Sequence, residues 1–207
     1  MDAFPLAGLF AVLILLIVLS AFFSSSETAL MSINHYRLKA RARRGQRAAI
    51  IAQRLLDRPE PLLGLILMGN TTVNIAAGAV ASLIGLHLWG ESGAAIATGT
   101  LTFILLIFGE VAPKTLAALH PERIALPASY PLSFLQRPLY PLVWVVTQAG
   151  RLILRLFGVN SDAAQRHDLN AEELRTAVLE AGAMIPQRHQ RMLLSVLDLE
   201  RSTVEDI

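Results

Sequence analysis

The sequence has no cysteine and few charged residues. The absence of cysteine among its 207 residues excludes disulfides, thiolate metal sites and cysteine nucleophiles. Charged residues make up only 16%, against about 25% in ordinary soluble domains. Residues 3–26 carry no charged side chain, and residues 1–36 carry no Lys or Arg. A secretory signal peptide begins with basic residues, so we expect the first segment to remain in the membrane.

Three long apolar segments are present, at residues 4–31, 61–89 and 93–119. Each segment is longer than the stretch of about 20 helical residues that is needed to cross a hydrocarbon core of about 30 Å. The sequence therefore predicts an all-α membrane protein with a core of three transmembrane helices in residues 1–120.

Basic residues are concentrated in one connection. Eight lie between the first two segments, whereas the turn at residues 89–93 has none. Positive charge in short loops marks the cytoplasmic side, which predicts an outside N-terminus and a cytoplasmic C-terminus in the cell (inner) membrane. Contact with anionic lipid accounts for these residues better than nucleic-acid binding. They are Arg37, Lys39, Arg41, Arg43, Arg44, Arg47, Arg54 and Arg58.

Residues 121–158 are apolar but interrupted by proline, which removes a helical donor and breaks helices. They predict short juxtamembrane helices at the cytoplasmic interface, with a fourth span over residues 138–157 as the alternative. Residues 159–207 hold nine of the sixteen acidic residues and predict a small cytosolic helical bundle. The helical pattern runs on to Ile207, which suggests a further domain after it.

Each apolar segment contains one polar cluster, and polar groups in spanning helices are functional candidates. In the first cluster Ser24, Glu27 and Thr28 share a helical face, and Ser25 lies beside them. Such serines also bond their own backbone or permit tight helix packing. In the second cluster Asn70 and Asn74 are one turn apart, which suits either two ion ligands or interhelical hydrogen bonds.

The third cluster, Gly109-Glu110-Val111-Ala112-Pro113-Lys114, is the most informative. Pro113 has no N–H, so the carbonyl of Gly109 loses its helical donor beside the carboxylate of Glu110. The alternative is an intrahelical pair between Glu110 and Lys114. Hydroxyl, amide, carbonyl and carboxylate oxygens without cysteine favour Mg2+ over Zn2+ or Cu. Glu27 either adds a second carboxylate or holds the site together.

The strings AFFSSSETALMS (21–32), GNTTVNIAAGAV (69–80) and IFGEVAPKTLA (107–117) resemble the transmembrane domain of the CorC/cyclin M family of Mg2+ transporters. The resemblance implies a homodimer that exports Mg2+, with Na+ as the coupling ion. It places the metal site on Ser24, Asn70, Asn74, the Gly109 carbonyl and Glu110, with Ser25 as an addition. Glu27, Thr28, Pro113 and Lys114 are the expected supporting residues.

The segment 191–207 resembles the link that leads into the family's CBS-domain pair. We expect nucleotide to bind only to that CBS-domain pair. The main alternative function is a non-transporting scaffold or Mg2+ sensor that regulates another transporter. Channel-like conduction is a weaker alternative. An intramembrane serine hydrolase is disfavoured, because no G-x-S-x-G elbow or positioned Ser/His/Asp set occurs. We therefore expect no enzyme activity.

Overall fold

The computed structural model describes residues 6–156, 192, 194 and 195, and this part of the chain contains helices and no strand. The chain divides into two compact units, residues 1–150 and 151–207. The predicted bundle of residues 159–207 lies outside the described residues, except for Met192, Leu194 and Ser195, which are helical. The helices are α1 (Leu6–Ser32), α2 (His35–Arg43), α3 (Arg47–Leu56), α4 (Pro59–Trp89), α5 (Glu91–Ile104), a π-helical segment (Leu105–Val111), α6 (Ala112–Leu119) and α7 (Pro121–Leu156).

Three helical stretches are long and apolar enough to cross a membrane: α1, α4 and the continuous stretch Glu91–Leu119, which joins α5, the π segment and α6. Many of their large apolar side chains are exposed, such as Ile75 at 69% and Phe103 at 70%. This exposure suits helices whose solvent is lipid. The predicted all-α membrane fold with three spans is confirmed.

The spans pack through small residues and close backbone approaches. Phe23 of α1 lies against Gly69 of α4, and Leu13, Leu16 and Ile17 pack near Ala77 and Ala81 of α4, so α1 and α4 are antiparallel. In the α4–α5 hairpin, a Cβ atom on Gly85 would collide with the backbone of Gly93. Gly90 turns the chain between these two helices with φ of 67°, a conformation that suits glycine.

The helices α2 and α3 form a hairpin after α1. We use the name collar for this hairpin together with the part of α7, from Glu122 to Ser129, that contacts it. Asn34 caps α2 by accepting a hydrogen bond from the Arg37 N–H at 3.0 Å. Arg37 and Arg41 both pair with Glu122 at the start of α7. The hydroxyl of buried Ser129 in α7 shares its one hydrogen between the carbonyls of Leu126 at 2.7 Å and of Ala48 in α3 at 3.2 Å.

The prediction of separate short helices over residues 121–158 is wrong, because residues Pro121–Leu156 form one helix. Its four internal prolines, Pro127, Pro131, Pro138 and Pro141, all lie on exposed positions. The residues four positions before them, whose carbonyls lose their helical donor, are at 123, 127, 134 and 137 and are exposed too. The lost hydrogen bonds therefore fall on the outer side, while residues such as Leu132 and Val143 stay buried. Within the described residues, α7 is not among the helices that qualify as spans.

Candidate functional site

The third span changes its helical register at the third polar cluster. Residues Leu105–Val111 are π-helical, and the Ala112 N–H bonds to the carbonyl of Ile107, five residues earlier. Pro113, next in the chain, has no N–H to serve the carbonyl of Phe108 in a π register or that of Gly109 in an α register. Isolated π turns within α-helices often mark functional sites. The sequence predicted the disturbed carbonyl from Pro113, but it did not predict the π segment.

Three spans meet at Ser20, a residue that the sequence reasoning missed. Ser20 is fully buried, and its hydroxyl donates to Oδ1 of Asn70 in α4 at 3.2 Å. A Cβ atom on Gly109 would lie 2.9 Å from the Ser20 hydroxyl oxygen, closer than real Cβ contacts come. Glycine therefore lets the π segment approach α1 here. The available signal was position: Ser20 lies one turn before Ser24 on the same helical face.

Buried oxygen atoms without hydrogen-bonding partners occur on α1 and α4, the two helices that the Ser20–Asn70 bond joins. Within residues 6–156, the hydroxyls of Ser24 and Ser26 and Oδ1 of Asn74 are buried and have none. Leaving a buried polar group unpaired costs about 1–3 kcal/mol, so natural proteins rarely do so without a reason. Two of the three, Ser24 and Asn74, belong to the predicted metal site. A bound cation is one such reason, because it replaces the missing hydrogen bonds.

The antiparallel packing of α1 and α4 decides which of these oxygens share a layer. Ser20 pairs with Asn70, so Ser24 lies about 6 Å farther along α1, whereas Asn74 lies about 6 Å farther in the opposite direction. The structure thus brings Asn70 and Gly109 together around Ser20, with Asn74 one turn beyond. Ser24 and Asn74 stand on opposite sides of that layer. Ser24 as a metal ligand stays a prediction.

The charged residues near the junction pair across helices. Lys114 Nζ lies 3.6 Å from Oε2 of Glu27 in α1 and forms a salt bridge with it. The alternative, a pair between Lys114 and Glu110 within one helix, is not formed among the described residues. Glu110 is half-buried and has no hydrogen-bonding or ionic partner within the described part of the chain. Its carboxylate therefore remains available beside the Gly109 carbonyl.

Two further predicted residues form bonds within α1. The hydroxyl of Ser25 donates to the Phe22 carbonyl at 3.1 Å, and that of Thr28 donates to the Ser24 carbonyl at 3.3 Å. These contacts match the alternative in which hydroxyls satisfy their own helix.

Comparison with known proteins gives the family. Residues 11–186 match the cyclin M transmembrane N-terminal domain. The chain belongs to this family. The cyclin M chain is 48% identical over 189 residues to the UPF0053 inner membrane protein YfjD of Escherichia coli, covering 91% of this chain and 44% of that protein. It is 46% identical over 208 residues to a UPF0053 protein of Haemophilus influenzae, covering 100% of this chain and 49% of the relative.

A more distant relative is the UPF0053 protein sll0260 of Synechocystis, 34% identical over 204 residues, with 89% of this chain and 44% of the relative covered. The cyclin M chain thus spans about half the length of the curated relatives it matches. Cyclin M membrane domains are generally linked to the transport of Mg2+ and other divalent cations, and the chain is a multi-pass membrane protein.

The chemistry of the cyclin M junction suits a hard cation. The described residues contain no group of three or more His, Cys, Asp or Glu side chains placed to hold a metal. Soft or borderline metals that need imidazole or thiolate therefore find no such set in this region. What the junction offers instead is neutral oxygen from hydroxyl, amide and carbonyl groups, with the carboxylate of Glu110 beside it.

Proposed function

We propose that the chain is the membrane part of a Mg2+ transporter that binds the dehydrated ion among oxygen atoms of its three spans. The observation that carries this proposal is that Ser20 of α1 bonds Asn70 and lies against Gly109, while Oδ1 of Asn74, one turn farther along α4, is buried and unpartnered. Hydrogen bonding alone leaves these groups unexplained, whereas an oxygen-seeking cation uses all of them. Membership of the cyclin M family supports the same substrate class.

Mg2+ demands near-octahedral oxygen coordination at about 2.0–2.1 Å and gives up its water reluctantly. The proposed cage uses Asn70, Asn74, the Gly109 carbonyl and Glu110, completed by a hydroxyl of α1. Two serines of α1 are candidates for this hydroxyl. Ser20 is in the layer of Asn70, and its oxygen keeps its lone pairs while its hydrogen is donated to Asn70. Ser24 is the serine that the family resemblance indicates. Ser25, the addition to the predicted site, donates its hydroxyl hydrogen to the Phe22 carbonyl of its own helix.

The supporting residues hold the cage in place. Glu27 and Lys114 join α1 to α6 across the inner end of the site, and Pro113 leaves the Gly109 carbonyl without an α-helical donor. We propose that the ion enters from the cytoplasm and leaves outward by alternating access, in a homodimer, with Na+ as the coupling ion. Any nucleotide response is proposed to belong to the CBS-domain pair that the family resemblance implies.

The test is calorimetric titration of the purified protein with Mg2+, beside Glu110→Gln and Asn74→Ala. Both variants should lose binding, because Asn74→Ala removes a ligand oxygen and Glu110→Gln removes the negative charge of the carboxylate. The matched controls are Glu91→Gln and Thr72→Ala, which alter exposed residues of the same two spans and should bind like the unaltered protein. Unchanged affinity in both site variants, with folding retained, would refute the cage.

A second comparison separates the two candidate hydroxyls. If Ser20 completes the cage, Ser20→Ala should weaken Mg2+ binding by about tenfold or more, the scale of one lost interaction with a charged group, and Ser24→Ala should not. The reverse result would favour Ser24. Proteoliposome flux then tests transport itself, because binding without any Mg2+ flux would favour the scaffold or sensor function.

A further inference from the structure

A basic cleft opens where the collar meets the membrane-spanning bundle. It has a volume of about 680 Å3 and is lined by Arg54, Asp57, Arg58, Gln136, Arg137 and Tyr140. Arg54 lies in the last turn of α3, Arg58 immediately precedes α4, and Arg137 comes from α7. Elements distant in sequence thus bring three guanidinium groups to one cleft, against a single carboxylate.

The three arginines of the basic cleft have no ionic partner within the described residues. The ion pairs among the described residues join Arg37 and Arg41 to Glu122 and Lys114 to Glu27, and all of them lie outside the cleft. Asp57 lines the same cleft, yet it forms no salt bridge with Arg54, Arg58 or Arg137. Unpaired arginines provide planar donor groups that match the oxygens of a phosphate.

The basic cleft lies at the level of the membrane surface. Arg58 directly precedes Pro59, the first residue of the spanning helix α4. The other wall is α7, whose neighbouring residues Tyr140, Leu142 and Trp144 are 50%, 51% and 55% exposed. Tyrosine and tryptophan prefer the headgroup level, where an apolar ring and a polar edge are both accommodated. Phosphate groups of lipids are therefore within reach of this cleft.

We propose that the basic cleft binds the phosphate headgroup of an anionic phospholipid. The charge of the cleft is complementary to that headgroup, and basic pockets beside spanning helices are known to select anionic lipids. The exposed apolar residues of α7 would contact the acyl chains of the same lipid. This proposal does not depend on Mg2+ transport, since the cleft shares no residue with the ion site.

The experiment compares lipid binding by the purified full chain and two charge-matched variants. The cleft variant carries Arg54→Gln, Arg58→Gln and Arg137→Gln. The control carries Arg43→Gln, Arg44→Gln and Arg47→Gln, three exposed collar arginines outside the cleft and without salt bridges. Retention of phosphatidylglycerol or cardiolipin against phosphatidylcholine is measured by native mass spectrometry and by thermal unfolding with each lipid.

The unaltered protein and the control should retain anionic lipid and gain thermal stability from it. The cleft variant should bind it on the order of 10- to 100-fold more weakly, the effect of removing three interfacial charges. Equal loss in both variants would mean diffuse attraction to net charge and overturn the proposal, as would no loss in either. Stabilisation by inorganic phosphate or ATP equal to that by lipid would also overturn it, in favour of a soluble ligand.

A variant with lysine at the same three positions guards against misfolding. It preserves charge and loses only the planar donor groups, so it should retain part of the lipid affinity. If the glutamine variant does not fold, this lysine variant and the single change Arg137→Gln take its place. Lipid affinity equal to that of the unaltered protein in both would overturn the proposal.

Discussion

Two regions of the molecule treat buried serine in opposite ways. In the collar, buried Ser129 shares its hydroxyl hydrogen between a carbonyl of α7 and one of α3, which connects the two helices. In the spanning bundle, Ser24 and Ser26 are equally buried, and their hydroxyls have no partner within residues 6–156. The collar therefore uses polar atoms to stabilise its own packing. The bundle leaves these two hydroxyls without a hydrogen bond, and the proposed ion site would supply the missing contact at Ser24.

The largest expected effect comes from filling the space between the π segment and α1. Gly109→Ala places a Cβ 2.9 Å from the Ser20 hydroxyl, which we expect to cost about 1–3 kcal/mol of stability and to eliminate Mg2+ binding. Gly99→Ala, on the same span with open space around it, is the control and should be neutral or slightly stabilising. Thermal unfolding and calorimetry measure both, and similar results for the two would contradict the close approach.

A direct test of the contrast pairs one serine from each region. Ser129→Ala should destabilise the protein by about 1–2 kcal/mol, because it removes the one hydroxyl hydrogen shared by the Leu126 and Ala48 carbonyls. Ser24→Ala removes an unpartnered hydroxyl and should leave stability unchanged or slightly higher. Unfolding in detergent without Mg2+ measures both. A larger loss for Ser24→Ala would show that its hydroxyl has a structural role.

The smallest expected effect concerns the ion pairs of the collar. Glu122→Gln removes the partner of Arg37 and Arg41, but these side chains are 76% and 42% exposed. Water and salt screen such pairs, so we expect a loss of only about 0.2–1 kcal/mol. The loss should shrink at high salt. A salt-independent loss would mean that Glu122 contributes by packing.

The spans and the candidate ligands could be predicted from the sequence because a bilayer tolerates few alternatives. A hydrocarbon core requires about 20 apolar residues with internally bonded backbone, and it makes each polar exception conspicuous. Asn70, Asn74, Gly109 and Glu110 were identifiable in this way. The same reasoning overlooked Ser20, because a single serine in an apolar helix can bond its own backbone, and only its contacts with Asn70 and Gly109 show its role.

Predictions from residue spacing within one helix were wrong where the result depends on how that helix packs against its neighbours. Proline spacing predicted short helices after residue 121, yet the prolines of α7 lie on exposed positions and the helix continues. Spacing along one helix offered Glu110 as a partner for Lys114, but α1 presents Glu27 at 3.6 Å. In both cases the deciding contact comes from packing, which sequence spacing does not contain.

The sequence by itself determined that this chain is helical, that it crosses the membrane in three spans, and which oxygen-bearing residues those spans carry. These properties follow from hydropathy and backbone chemistry, which act along the chain. Only the tertiary structure decided that Ser20 joins Asn70 to the π segment, that Asn74 is left without a partner, and that three arginines share one cleft. Such arrangements depend on the register between helices, and register is determined by the close approach of Gly69, Gly85 and Gly109 to their neighbours.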